Sequence, residues 1–167
     1  MVRSSLSLAD LAERHRPELV AYLVRMLGDE HDAQDVCQDT FLRAQRAFAR
    51  LRPDSNCRAW LYRIATRSAL NALRRRSRAI ARRVDVDLDG LPARVGTSGE
   101  GRVRLATVAT AVGGLPPRQR AALMLRQFHG LAYAEIATTL GGNEAAARAN
   151  VYQAIKKLRA ALGGSTP

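Results

Sequence analysis

Three carboxylates fall at near-helical spacing in DAQDVCQDTF, residues 32–41: Asp32, Asp35 and Asp39. Converging on one face, they could hold a magnesium ion for an enzyme. A helical projection separates them. Val36, Cys37, Thr40, Ala44 and Ala47 turn inward, while Asp35, Gln38 and Leu42 share an outward patch beside Gln34 and Gln45. A hard cation wants several oxygens at one point. One carboxylate, one amide and one leucine suit a protein partner better, with an apolar centre and polar groups around it. The remaining reactive side chains are scattered. His15, His31 and His129 form no set with a serine and an acid, and no phosphate-cradling loop is present. Cys37 and Cys57 are too few and too far apart for a disulfide framework or a zinc site. They read as reduced, buried thiols. The expectation is a protein with no catalytic residue, no metal and no cofactor.

Charge points elsewhere. The 167 residues carry 27 Lys and Arg against 15 Asp and Glu, a net charge of +12. A polyanionic partner is the first thought, nucleic acid or a membrane surface. The beginning, MVRSSLSLADLAERH, has no apolar core of a signal peptide, and no stretch approaches a membrane span. A soluble, cytoplasmic protein without membrane insertion is expected. Residues 51–83 hold ten arginines against one acid, Asp54.

Most of that charge lies on WLYRIATRSALNALRRRSR, residues 60–78. Advancing ~100° per residue, Leu61, Ile64, Ala65, Ser68, Ala69 and Ala72 make a buried wedge. Arg63, Arg67, Leu70 and Arg74 gather opposite, bordered by Trp60 and Asn71. Like charges one turn apart repel by a few tenths of a kcal/mol per pair. A sequence that keeps them suggests a phosphate backbone as counter-charge. Just before this helix, RPDSNC offers Arg52, Asp54, Ser55 and Asn56. A polar loop beside Trp60 and Tyr62 can receive an unstacked base, its edge read by amide or hydroxyl groups.

A second constellation is LAYAEIATTLGGNEAAARANVYQAIKKLRAAL. A short helix with Ile136 and Leu140 inward is followed by a glycine turn, Asn143 as cap, and a two-faced helix. Ala147, Val151, Ala154, Leu158 and Ala161 line one side; Arg148, Ala149, Tyr152, Gln153 and Lys156 line the other. This is the layout of a helix-turn-helix, whose second helix enters the major groove. There Gln pairs with adenine, Arg with guanine or phosphate, and Ala permits close approach.

The elements that position these residues are all helical. The pattern predicts helices over about 8–27, with Ser7 as cap, 30–49, from the end of a 51–57 loop to about 79, and over 102–112, 117–128, 132–140 and 144–162. Pro17 should bend or restart the first. The fold class is all-α: residues 1–79 form an N-terminal helical domain, 80–101 a flexible linker, 102–162 a helix-turn-helix domain, and 163–167 a disordered tail. The linker expectation rests on the Gly- and Pro-containing acidic stretch VDVDLDGLPARVGTSGEG.

In order and spacing, LGDEHDAQDVCQDTFLRA, CRAWLYRIATRSALNALRRR, LPPRQRAALMLRQFHGLAYAEIATTLG and VYQAIKKLR resemble a bacterial extracytoplasmic-function (ECF) sigma factor. The resemblance covers nearly the whole chain outside linker and tail. It implies a two-domain initiation factor that binds core RNA polymerase, reads and opens the −10 element with its first domain, and reads the −35 element with its second. By position, Asp35, Gln38 and Leu42 would meet the polymerase clamp helices. The loop 52–56 would capture a flipped base, and Arg63, Arg67 and Arg74 would follow DNA. Arg148, Ala149, Tyr152 and Gln153 would face the −35 groove. An anti-sigma factor is the implied regulator. A polymerase-independent helix-turn-helix regulator is the alternative, which would leave the 32–42 patch and the basic 51–83 segment without a joint purpose.

Five positions depart from the family pattern. Cys57 stands where an aromatic residue is usual, and Ala132 where a capping serine is common. Ala149, Asn150 and Gln153 replace basic residues on the recognition helix, so phosphate attraction there should be weaker.

Overall fold

The computed structural model describes residues 7–83 and 100–163. These form seven helices: α1 (Leu8–Leu27), α2 (Glu30–Phe48), α3 (Cys57–Arg82), α4 (Glu100–Gly113), α5 (Pro117–Gln127), α6 (Tyr133–Leu140) and α7 (Glu144–Gly163).

Local chemistry sets most of the boundaries. Ser7 Oγ accepts from the Asp10 amide at 3.1 Å, and Asp10 Oδ2 accepts from the Ser7 amide at 3.0 Å. Two amide donors at the start of α1 are thus satisfied reciprocally. Gly28, at φ +76°, closes α1 by donating to the Val24 carbonyl. Asp29 caps α2 through the Asp32 amide, and that bond holds its carboxyl below the usual range. Asn56 caps α3, and Asn143 caps α7 through the Ala146 amide. Ala132 has no side-chain acceptor to offer α6. Only the return half survives, with Glu135 Oε2 accepting from the Ala132 amide at 2.8 Å.

Pro17 neither ends nor restarts α1, which runs on to Leu27. Its missing donor would have served Glu13, and both residues are exposed, so water can satisfy the freed carbonyl. Beyond it, buried Leu19, Tyr22, Leu23 and Met26 hold the helix in register. α3 is longer than expected, reaching Arg82, and α4 begins at Glu100, so both ends of the expected 80–101 linker are helical. Residues 84–99 of that linker and 164–167 of the expected tail lie outside the described residues, while Gly163 belongs to α7.

The first three helices pack on one another around Leu23, Met26, Val36, Cys37, Leu61, Ala65 and Ala69. Burial pushes the Cys37 thiol up. Tyr22 and Thr66 share a buried hydrogen bond of 2.7 Å. α5 and α6 pack on α7 through Met124, Leu125, Ile136, Leu140 and Val151. The apolar core is continuous between these groups because α3 packs on α6 and α1 touches α4 and α5. Leu70, expected on the open arginine face, is therefore buried, since α6 lands on the side that Arg67 shares with it.

Candidate nucleic-acid and protein interfaces

The loop before α3 is a tight polar turn. Its Ser55 amide donates to the Arg52 carbonyl at 3.0 Å, and exposed Arg52 pairs with exposed Asp54 at 3.3 Å. Asn56 does two jobs at its end. Its Oδ1 accepts from the Ala59 amide at 3.0 Å, starting α3, which leaves the Nδ2 group free to donate. A cleft of ≈ 220 Å³ opens here, lined by Leu51, Ser55, Asn56, Ala59, Trp60 and Arg63. Trp60 is mostly buried, its indole 6.3 Å from the Phe48 ring. A polar rim over an aromatic wall suits an unstacked base.

The opposite wall of that cleft is α6, contributing Glu135, Thr138 and Thr139. Asn56 Nδ2 donates to Glu135 Oε1 at 3.2 Å. Arg67 donates to the Thr138 carbonyl at 2.8 Å and to the Thr139 carbonyl at 3.3 Å. Sequence reasoning missed these partners. Glu135 was legible only as half of a cap, and nothing local links it to a residue 79 positions away.

Elsewhere the arginine face finds its own answers. Arg76 pairs with Asp32 and donates to the Leu27 carbonyl at 3.0 Å. Asn71 and Arg74 are exposed, and Arg63 is half-buried at the cleft mouth. Near the start of α3, Arg58 donates to the His129 carbonyl at 2.6 Å and lies 3.7 Å from Glu18. The His129 ring is wedged between two tyrosines, 5.3 Å from Tyr22 and 4.3 Å from Tyr62. Burial and then the Arg58 charge lower its pKa to about 4. Arg120 is buried without a carboxylate and donates to the Met26, Gly113 and Leu115 carbonyls.

On α7 the two expected faces separate as projected through Ala154, but Ala161, expected inward, is exposed. Ala147, Val151 and Ala154 are buried, whereas Arg148, Ala149, Tyr152, Gln153 and Lys156 are exposed. Arg148 is braced by Glu144 at 3.5 Å and lies 4.3 Å over the Tyr133 ring. Tyr152 is 64% exposed, a large aromatic surface left open on a polar helix face.

On α2, Asp35, Gln38 and Leu42 are exposed. Gln38 and Leu42 edge an open groove of ≈ 550 Å³ whose floor comes from Leu8, Ala12, Phe41 and Phe48. The α1 wall of this groove was invisible to a projection of α2 alone. The three aspartates go separate ways: Asp32 to Arg76, Asp39 to Arg43 and Ser68, Asp35 to solvent. No cluster able to hold a metal occurs among the described residues, nor is any described helix long and apolar enough to cross a membrane.

Two family models match: Sigma-70 region 2 over residues 11–79 and Sigma-70, region 4 over residues 105–158. ECF RNA polymerase sigma factor SigE of Mycolicibacterium smegmatis is 33% identical over 153 residues, which is 90% of this chain but 59% of that protein. RNA polymerase sigma-H factor of Pseudomonas aeruginosa is 33% identical over 165 residues, 91% of this chain and 84% of that one. Among solved structures, RpoE in complex with the anti-sigma factor NepR from Bartonella quintana superposes with a TM-score of 0.78. It is 22% identical, the match covering 96% of this chain and 99% of that chain. CnrH in complex with the cytosolic domain of CnrY gives 0.67 at 28% identity, covering 95% and 89%. The region 2 match takes in α2, the polar loop and α3 to residue 79, and the region 4 match takes in the helix-turn-helix, so the chain belongs to the sigma-70 family as a sigma factor of the extracytoplasmic-function group.

Proposed function

We propose that this sigma factor binds core RNA polymerase and directs it to specific promoters, by binding alone and without covalent chemistry. Residues 1–79 engage polymerase and the −10 element, 80–101 tether the halves, and 102–162 read the −35 element. The observation that carries this reading is the union of both region matches with three separate surfaces, on α2, on the loop and α3, and on α7.

Asp35, Gln38 and Leu42 are the polymerase contact. Arg52, Asp54, Ser55 and Asn56, with the Trp60 wall, take a base unstacked from the −10 element. Arg63, Arg67, Asn71 and Arg74 follow the adjoining backbone. Unstacking costs a few kcal/mol, offset by the pocket and by phosphate contacts. Arg148, Ala149, Tyr152, Gln153 and Lys156 enter the −35 major groove. Neither half need bind DNA tightly alone, because tethering both to one polymerase raises the effective concentration of each. The cytoplasm, where polymerase works, is the place of action. CnrH is solved with a protein bound to it, and we infer an anti-sigma partner for this chain as well.

Run-off transcription with core polymerase on fragmented genomic DNA, followed by mapping of transcript starts, is the test. Start sites sharing two spaced elements support the reading. A chain that neither binds core polymerase nor changes where it starts overturns it.

A further inference from the structure

Of the residues assigned to the −35 groove, Arg148 lies nearest the N-terminus of α7, the end that meets base edges. Its side chain is exposed, and a long exposed arginine ordinarily samples many rotamers. Here it does not stand alone. Its guanidinium carbon lies 4.3 Å from the centroid of the Tyr133 ring, and Glu144, one turn earlier on α7, reaches the same guanidinium at 3.5 Å. Tyr133 opens α6, the other helix of the motif. It is half-buried and packs on the core, so its ring is a fixed surface rather than a second mobile side chain. Arg126, at the end of α5, lies 4.5 Å from the same centroid, and its donation to the Leu131 carbonyl at 3.0 Å ties it to the loop before α6. Three helices thus meet at one aromatic ring.

The face of an aromatic ring attracts a guanidinium through its quadrupole, which an aliphatic side chain of the same bulk cannot do. A stacked guanidinium keeps its in-plane N–H groups free to donate. Two parallel bonds to guanine O6 and N7 need that plane at a set angle. Holding it there beforehand lowers the ordering cost of binding. Glu144 by itself would not suffice, because an exposed ion pair one turn apart holds loosely and weakens with salt.

We propose that Tyr133 is a positioning residue for −35 recognition: its ring orients the Arg148 guanidinium toward the base edges. A residue on the first helix of the motif thereby sets what the second helix reads, without touching a base itself. A projection of α7 alone could not find it. The inference deepens, and rests on, the assignment of α7 to the −35 element.

The test uses core polymerase loaded with the full-length chain, on a promoter taken from start-site mapping. Run-off rates are compared between the intact −35 element and versions with each of its base pairs replaced in turn. Wild type, Tyr133→Phe, Tyr133→Leu, Arg148→Ala and Tyr133→Leu/Arg148→Ala are run side by side, with helicity and affinity for core polymerase as controls. Tyr133→Leu should lose discrimination by about threefold or more, the size of one cation–π contact, at the base pair that Arg148→Ala also stops reading. Tyr133→Phe, which keeps the ring, should read like wild type. The double variant should discriminate no worse than Arg148→Ala alone. A Tyr133→Leu factor that reads like wild type overturns the inference, and so does an Arg148→Ala factor that does. A phenylalanine variant as poor as the leucine one assigns the effect to the hydroxyl, and losses that add in the double variant assign it to something other than Arg148; either result overturns the inference as well. If leucine lowers helicity, Tyr133→Met, a flexible apolar filler, is judged by the same measurements. The promoter reading fails separately. A wild type indifferent to every −35 replacement refutes −35 recognition itself, whereas discrimination lost in Arg148→Ala but kept in Tyr133→Leu refutes only the positioning role.

Discussion

Asn56 reaches Glu135 across 3.2 Å of space and 79 residues of sequence, and it does so with the half of its amide not already used to begin α3. One side chain thus links the start of a helix, the rim of a cleft and the far half of the molecule. The two halves of that amide can be told apart by substitution.

Asn56→Asp keeps an acceptor for the Ala59 amide and loses the donor. Asn56→Ala loses both. Loss of a cap costs about 1 kcal/mol, so the alanine variant should unfold earlier in urea than the aspartate variant, which keeps the cap and loses the bond to Glu135. Both should initiate poorly in run-off transcription, because neither can donate to a base edge. An aspartate variant with full activity would remove Asn56 from base recognition.

Leu42→Ala and Asp35→Ala should leave the thermal melt nearly unchanged, since both side chains stand in solvent. Affinity for core polymerase, followed by fluorescence anisotropy, should fall roughly tenfold or more for each, as at a central interface contact. Unaltered affinity in both would move the polymerase contact off α2.

The packing of His129 makes the fold sensitive to acid. Its pKa falls from 6.5 to about 4 by burial, then by Arg58 and Arg25, with Glu18 opposing. Tyr22, Tyr62 and His15 are the other titratable groups near this contact. Because the half-buried ring is neutral, the unfolded chain binds more protons between those two values. The stabilisation is complete above pH 6.5 and is lost as pH falls toward 4. Urea midpoints across this range should slope downward with acid for the wild type and less steeply for His129→Leu. Equal slopes would show that another group governs the loss.

Arg120 has three carbonyl partners and no counter-ion, and its burial lowers its pKa. Arg120→Met keeps the length of the stem and strands the Met26, Gly113 and Leu115 carbonyls. A loss of about 2–4 kcal/mol in urea unfolding is expected, from a charged donor removed and buried acceptors left unpaired. A change below about 0.5 kcal/mol, the level of a surface substitution, would show that these bonds hold nothing together.

Gln153→Ala and Tyr152→Ala should change which genomic sites are used more than how strongly polymerase is bound. Loss of one good base contact is worth about 1–3 kcal/mol of discrimination. Start-site mapping against polymerase affinity separates the two effects. An unchanged set of start sites would place −35 reading elsewhere on α7.

What could be read from the sequence was what one helix decides by itself. Ser7, Gly28 and Asn143 mark ends through bonds spanning three or four residues, and each end falls within a few residues of its expected place. The inward sets of α2 and most of α7 follow from angle alone, apart from Ala161. Pro17 does not restart α1, because the packing beyond it outweighs the one lost bond. Leu70 was assigned to the wrong environment for a related reason. Projection shows which residues share a face, not what comes to lie against it. Glu135, His129 and Arg120 act between segments far apart in sequence, and no local pattern betrays that.

Arg67, Arg58 and Arg120 all donate to backbone carbonyls, which are uncharged. No bond within the molecule alters its net charge of +12, so the long-range field does not depend on which of these bonds is made. A polyanion should be drawn in at a salt-dependent rate set by that charge, and the placing of individual arginines would show itself only after encounter, in how long the two stay together.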